Sequence, residues 1–178
     1  MKPIVHAPNI VLNTPASTVT VFDTKLAKII VEMRTILLAT KKPKGVGLAA
    51  PQVGLSLRLF IIKPAQDEPT RVFINPNILK LSDAQEGEGK HDKLEGCLSI
   101  PKVWGKVKRA LSVTLRYQDE HGATHEEEFT DFPATIIQHE TDHVNGILFT
   151  QRVLEQKGKL YHTTTDREGK EVLEEIKL

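Results

Sequence analysis

The chain has 178 residues, a formal net charge of +1 and 39% hydrophobic residues. This length suits one domain, and this hydrophobic content can form a core without disulfides or a structural metal. The near-neutral charge, with lysine and arginine scattered along the chain, excludes the electrostatic signature of a nucleic-acid-binding protein, and no apolar run approaches the roughly 20 residues of a membrane-spanning helix.

The N-terminal residues and the cysteine content indicate a compartment. Residues 1–8 contain neither a signal-peptide core nor an Arg-rich leader. Cys97 is the only cysteine, so an internal disulfide is impossible and a reducing environment is favoured. We therefore expect a cytoplasmic, bacterial-type location. A lone cysteine is usually a small buried apolar residue, but near metal-ligating histidines it is also a candidate soft ligand.

The first half of the chain predicts irregular structure over residues 9–22, then one helix and short buried strands. Asp23 or Thr24 caps a helix whose apolar residues recur at helical spacing, and residues 41–44 end it. Residues 57–62 and 71–74 are typical of buried strands. The polar residues 82–94 predict a mobile surface loop that contains His91.

Between that helix and those strands lies a segment rich in glycine and alanine, residues 45–54. Its composition lets a ligand approach the backbone closely, although a tight packing turn is the simpler interpretation. The glycine spacing fits neither a phosphate-binding loop nor a dinucleotide-binding loop. Gln52 is the only polar side chain with reach in this segment, and it offers an amide donor.

The second half predicts a hairpin followed by a second helix. Apolar and polar residues alternate over 113–117, which indicates a half-buried strand that pairs with a strand over 124–129. The helix begins at residues 130–133, where proline suits the first turn, and ends at Asn145-Gly146. We predict an α+β fold in which antiparallel or mixed β-sheets surround this central helix.

The second helix contains Gln138-His139-Glu140-Thr141-Asp142-His143, with the pattern H-E-x-x-H. Two histidines four residues apart lie on one face of a helix and can bind one metal ion. The glutamate beside the first histidine can act as a general base on water. Since the flanking residues are mostly apolar, these titratable side chains need partners, and a metal ion provides one. The pattern indicates a metallohydrolase.

The third ligand distinguishes the classes of metallohydrolase. In one protease class a histidine lies six residues after the second histidine, but Phe149 occupies that position here. In another class a downstream glutamate on a second helix binds the metal, but Glu155, Glu168 and Glu171 lie in polar, turn-rich sequence. Cys97 remains as the candidate, and a thiolate with two imidazoles leaves one position for water.

Three stretches together resemble the signature motifs of the peptide deformylase family. They are Gly45-Val46-Gly47-Leu48-Ala49-Ala50-Pro51-Gln52, Glu95-Gly96-Cys97-Leu98-Ser99 and the H-E-x-x-H stretch, in the family's order and at its approximate spacing. The resemblance implies a catalytic domain over residues 1–154. The charged C-terminal tail over residues 155–178 resembles no segment of the family, and it holds too few apolar residues for a separate domain.

The resemblance implies a hydrolase that removes the N-formyl group of formyl-methionine from nascent polypeptides at the ribosome and releases formate. Cys97, His139 and His143 would bind one divalent metal ion, with Fe²⁺ expected physiologically and Zn²⁺, Ni²⁺ or Co²⁺ as possible replacements. That ion would activate water. Glu140 would act as general base and then as general acid.

The resemblance also implies how the substrate is held. The Gln52 side-chain amide and the Leu98 backbone N–H would donate to the oxyanion. The peptide would lie extended along the backbone of Val46, Gly47 and Gly96 as an added strand. Its methionine side chain would enter an apolar pocket on the second helix, for which the candidates are Phe132, Thr135 and Ile136.

Several supporting residues keep alternative interpretations. Glu95 and Arg109 match family positions that pair with each other. Asp142 either orients an imidazole or pairs with a basic residue as an ordinary helix charge. Trp104 stands where many relatives carry a polar or basic residue, and it either lines the cleft or covers the core.

Two other functions compete with deformylation. One is a different metal-dependent amidase or peptidase built on the same helix. The other is a non-enzymatic protein with a structural metal site, which would require four protein ligands.

Overall fold

The structure is a computed structural model that describes residues 3–41, 44–83, 94–166 and 168–177. The helices are α1 (Thr24–Ala39), α2 (Asp131–Val144) and α3 (Phe149–Glu155), with 3₁₀ turns at Ile10–Asn13 and Ala50–Val53. The strands are β1 (Gly47–Ala49), β2 (Leu59–Ile62), β3 (Arg71–Leu81), β4 (Glu95–Cys97), β5 (Ile100–Gly105), β6 (Ser112–Gln118), β7 (Thr124–Thr130), β8 (Leu160–Thr165) and β9 (Glu171–Glu175).

The strands form two antiparallel sheets around α2. One sheet has the order β1-β2-β3-β6-β7 and the other has the order β4-β5-β8-β9. Helix α2 packs against β1, β2, β6 and β7, whereas α3 packs against β4 and β5. This arrangement confirms the predicted α+β fold with a central helix. Among the described residues, no helix has the length and apolarity needed to cross a membrane.

Helix α1 begins at the predicted cap and buries the predicted face. The Oδ1 atom of Asp23 accepts a hydrogen bond from the Leu26 backbone N–H at 2.9 Å, which satisfies a free donor of the first turn. Leu26, Ile30 and Met33 point into a core shared with β2 and β3. The helix ends at Ala39, before residues 42 and 43, which lie outside the described part of the chain.

Helix α2 is central because both its apolar and its polar side chains are buried. Ile136 and Ile137 pack in the core cluster that includes Phe73. The amide of Gln138 donates to the Ala110 carbonyl and accepts from the Ala110 N–H, at 2.9 and 3.0 Å. This two-way pairing satisfies a buried amide and fixes α2 against the segment before β6.

The predicted hairpin is present, whereas one predicted strand is longer than expected. Strands β6 and β7 pair from Ser112 with Thr130 to Gln118 with Thr124. Strand β3 is longer than predicted because Asn75, at φ 51°, shifts the register and lets pairing with β6 continue to Leu81. The predicted mobile loop falls mostly on residues 84–93, including His91, which lie outside the described residues.

The charged C-terminal segment forms strands β8 and β9, which extend the second sheet. Strand β8 pairs with β5 through Val103 with His162, Trp104 with Tyr161 and Gly105 with Leu160. Residues 160–165 and 171–175 therefore form a hairpin within this sheet. The predicted boundary at residue 154 falls within α3 and stays a prediction.

Candidate metal centre and active site

A cavity of about 310 Å³ lies between β1, β4 and one face of α2, and each of these two strands is the edge of its sheet among the described residues. Residues from all three signature stretches line it. The predicted site residues on its wall are Val46, Gly47, Gln52, Glu95, Gly96, Cys97, Leu98, Trp104, Phe132, Thr135, Ile136, His139 and Glu140. His143 and Arg109 lie behind this wall, in contact with Cys97 and Glu95, and Asp142 pairs with Arg109.

Cys97, His139 and His143 bring one possible ligand atom each to within 4.8 Å of one another. The Cys97 Sγ atom lies 3.1 Å from His143 Nε2. Strand β4 ends at Cys97, and the helical spacing of α2 places both imidazoles on the face that meets it. A thiolate and two imidazoles form a donor set that suits a divalent transition metal, so the residues present fit such an ion.

The thiol of Cys97 is buried but electrostatically favoured as a thiolate. Burial alone would raise its pKa, but the adjacent imidazoles of His143 and His139 hold that pKa well below its usual range. The Gln52 amide N–H also donates to the sulfur at 3.3 Å. The thiolate is the form of cysteine that ligates metals, so the low pKa favours the binding of an ion at this site.

Glu140 lies at the wall of the cavity, against the backbone of Gly47. A Cβ atom at Gly47 would lie 2.8 Å from the Glu140 carboxylate carbon. Burial raises the pKa of Glu140 to about 7. Among the described residues, its Oε2 atom is buried without a hydrogen-bond partner, so this oxygen has a free capacity to accept a proton.

His139 is oriented by Glu95 rather than by Asp142. Its Nδ1–H donates to Glu95 Oε2 at 2.9 Å, which leaves Nε2 to face the cysteine. Burial would raise the pKa of Glu95, but hydrogen bonds from His139 and Arg109 lower it to about 2. A carboxylate that fixes the ring of a metal-ligating histidine is a common supporting arrangement.

Arg109 is buried between two carboxylates, the half-buried Glu95 and the buried Asp142. Its guanidinium donates to both Glu95 oxygens, at 2.8 and 3.0 Å, and to Asp142 Oδ2 at 2.6 Å. Asp142 also accepts from Arg152 at 2.7 Å, so Asp142 pairs with two arginines. Arg152 was not singled out from the sequence, because nothing in a single sequence pairs a residue of α3 with one of α2.

Arg109→Leu should lower the free energy of unfolding by about 3–5 kcal/mol, because Glu95 and Asp142 would lose a buried cation. Denaturant titration measures this change. Arg116→Leu is the matched control, since Arg116 pairs with Glu126 at an exposed position, and it should cost less than about 1 kcal/mol. Equal losses in the two variants would contradict a specific role for the buried cluster.

The cavity also includes Gly45 of the first signature stretch and four residues that the sequence did not identify: Lys44, Leu94, Lys106 and Val107. Lys44 and Leu94 directly precede signature stretches, so proximity in sequence was their only available signal, whereas Lys106 and Val107 follow β5 and had no such signal. His121, His125 and the downstream residues Glu155, Glu168 and Glu171 do not line the cavity.

The fold and this arrangement define a metal-dependent hydrolase. The sequence profile of the polypeptide deformylase family matches residues 1–159. Peptide deformylase 1 of Bacillus subtilis is 41% identical over 153 residues, which cover 86% of this chain and 90% of that protein. The chain belongs to the peptide deformylase family, which confirms the resemblance and makes it an enzyme of this kind.

Solved structures agree with this membership. The crystal structure of peptide deformylase from Thermotoga maritima has a TM-score of 0.77 and 36% identity, and the match covers 85% of this chain and 97% of that one. A class I type b peptide deformylase from Acinetobacter baumannii has a TM-score of 0.75 and 36% identity, with 85% and 98% covered.

Proposed function

We propose that the protein removes the N-formyl group from formyl-methionine at the start of nascent polypeptides in the cytoplasm and releases formate. The observation that carries this proposal is the meeting of Cys97, His139 and His143 beside the buried carboxylate of Glu140, in a cavity bordered by two free strand edges. Membership of the peptide deformylase family supports the substrate class.

Cys97, His139 and His143 would hold one divalent ion, which we propose to be Fe²⁺ in the cell, with Zn²⁺, Ni²⁺ or Co²⁺ able to replace it. When bound, such an ion lowers the pKa of a water molecule and polarises a carbonyl group. Three donors meet among the described residues, which favours a catalytic site over a structural site with four protein ligands.

Glu140 moves the proton in the proposed reaction. Its carboxylate accepts a proton from the attacking water and then delivers it to the nitrogen that leaves as the new N-terminal amine. Burial supports this role because it raises the pKa of Glu140 to about 7, near which a carboxyl group can both accept and donate a proton.

The oxyanion of the tetrahedral intermediate requires fixed donors. The Gln52 Oε1 atom accepts from the Ala49 N–H at 2.8 Å, so its NH₂ group must face the cavity and the sulfur of Cys97. We propose that this NH₂ group and the Leu98 backbone N–H donate to the oxyanion. An amide that is already oriented needs no rearrangement during the reaction.

Gln52→Leu should lower kcat by roughly 10²–10³-fold, the usual cost of losing one oxyanion donor. Steady-state kinetics with formyl-Met-Ala-Ser, corrected for metal content, measure this effect. Gln118→Leu is a matched control, because Gln118 lies on β6 and bonds Asn75 and Gly122 away from the cavity. A loss in Gln52→Leu below about tenfold would argue against the donor role.

The substrate would lie between the free edges of β1 and β4. Each of these strands ends its sheet, so their backbone groups can pair with an extended peptide at Val46, Gly47 and Gly96. Main-chain pairing tolerates varied side chains, which suits an enzyme that acts on many nascent chains. The methionine side chain would lie against the α2 residues of the cavity, Phe132, Thr135 and Ile136.

A panel of peptides tests this function. The enzyme should release formate from formyl-Met-Ala-Ser and leave both acetyl-Met-Ala-Ser and Met-Ala-Ser intact. Cleavage of an internal peptide bond would instead support a metal-dependent peptidase. Release of acetate at a comparable rate would support a broader amidase.

We also propose that residues 1–154 form the catalytic domain and that residues 155–178 belong to the same folding unit. The support for a shared unit is the pairing of β8 with β5.

A further inference from the structure

Trp104, the only tryptophan of the chain, connects the C-terminal hairpin, formed by β8 and β9, to the active-site cavity. It lies on β5 opposite Tyr161 of β8. Its indole N–H donates to the hydroxyl of Thr163 at 2.8 Å. Thr163 is two residues beyond Tyr161, so both side chains lie on the same face of the sheet as the indole.

The other end of the indole covers Gly96 at the edge strand β4. Gly96 is the register partner of Trp104, and a Cβ atom added to Gly96 would lie 2.6 Å from the indole Cζ3 atom. The ring therefore occupies the space that a side chain at this position would need. It stands directly beside a backbone position proposed to pair with the peptide.

The indole also borders two cavities. One is the active-site cavity, and the other is a cavity of about 330 Å³ that includes Ile4, Ile100 and Lys102. Gly96, Cys97 and Leu98 line both cavities. Trp104 therefore stands beside both cavities, next to the strand that carries Cys97.

We propose that Thr163 is a positioning residue that fixes the Trp104 ring as one wall of the peptide cleft, where the ring binds apolar side chains of the residues after methionine. The proposal rests on the proposed function, because it deepens the specificity of the same site. An aromatic ring held in place before binding costs less to order when the peptide arrives. The C-terminal hairpin is then part of the substrate-binding structure.

The ring lies beside the cleft and bonds Thr163, whereas the proposed proton transfer occurs at Glu140 on α2. Loss of the Thr163 bond should therefore change substrate affinity and leave the chemical step intact. Thr163→Val keeps the shape of the side chain but removes the acceptor. It should raise KM for formyl-Met-Leu-Phe by about two- to tenfold, the range of one neutral hydrogen bond, with kcat and metal content unchanged.

Two variants serve as controls. Thr163→Ser keeps the hydroxyl and should retain the wild-type KM. Thr165→Val makes the same change two residues further along β8, at an exposed position, and it should also leave KM unchanged. KM for formyl-Met-Ala-Ser should shift less than KM for formyl-Met-Leu-Phe, because its side chains offer little apolar surface to the ring.

The emission of Trp104 reports the ring position independently of turnover, because no other tryptophan contributes. Thr163→Val should shift the emission to longer wavelength and increase quenching by acrylamide, and Thr163→Ser should restore both. Trp104→Phe keeps a ring but removes the N–H, so adding Thr163→Val to it should raise KM no further. This double-mutant cycle isolates the bond, and Trp104→Phe alone removes it without any change at Thr163.

The outcomes separate this inference from the proposed function. An unchanged KM and an unchanged emission in Thr163→Val would overturn the inference, as would a fall in kcat with KM unchanged. If the wild type released no formate, titration of Trp104 emission with Met-Leu-Phe would still test whether Thr163 positions the ring for peptide binding. Weaker binding in Thr163→Val would support the positioning role, and an emission that the peptide does not change would overturn it.

Discussion

Glu140→Gln should lower kcat for formate release by roughly 10²–10⁴-fold, the contribution of a general acid–base residue, while one metal ion stays bound per chain. The amide keeps the size of the side chain but cannot accept the proton of the attacking water. The metal should stay bound because its ligand atoms belong to Cys97, His139 and His143, and none of them belongs to Glu140. Steady-state kinetics and elemental analysis of the same preparation measure both quantities.

Glu128→Gln is the control for this change, because Glu128 is exposed on β7 and should leave kcat unaltered. Loss of metal or of the fold in Glu140→Gln would indicate that Glu140 is a structural residue. A kcat within about tenfold of the wild type would assign the proton transfer to another group.

Cys97→Ala should reduce bound metal well below one ion per chain and abolish formate release. Removal of a direct ligand should cost more affinity than the roughly 10–100-fold that loss of a supporting residue costs. Cys97→Ser should retain more metal than Cys97→Ala, but with altered affinity, since a hydroxyl is a poorer ligand than a thiolate for these ions.

His139→Ala and His143→Ala should lose metal in the same way. His125→Ala is the control, because His125 lies on β7 and pairs with Asp119 at an exposed position. Metal content by elemental analysis decides between these outcomes. Full occupancy in Cys97→Ala would place the ion elsewhere in the protein.

The sequence identified the parts of the site that lie close together along the chain. The spacing of His139 and His143 determines their shared face, because a helix brings residues four apart onto one side. The approach of Cys97 and Gln52 to that face depends on the pairing of distant strands. That part came from the family motifs and could not be obtained from periodicity.

The C-terminal hairpin shows why contacts between distant parts of the chain were not predicted from the sequence. Strand β9 reads Glu171-Val-Leu-Glu-Glu175, which lacks a continuous alternation of apolar and polar residues, and only its pairing with β8 defines it as a strand. The bond between Trp104 and Thr163 joins residues 59 positions apart. Such contacts depend on tertiary packing, to which single-sequence patterns are insensitive.

Strand β3 shows a different limit. Pro76 and two asparagines interrupt the sequence at residues 75–77, and such residues normally indicate a turn. Here the Asn75 side chain accepts from the Val19 N–H and donates to the Val19 carbonyl, both at 2.8 Å. These bonds hold an irregular position within one long strand.

The central claim is that one ion held by Cys97, His139 and His143 supports the release of formate. Its most direct test is an anaerobic titration of metal-free protein with Fe²⁺, in which bound iron and formate release from formyl-Met-Ala-Ser are followed together. We predict that activity rises linearly with bound iron and reaches its maximum at one ion per chain, bound at the site that these three residues form. Formate release that does not depend on bound iron, or a maximum at two ions per chain, would contradict it.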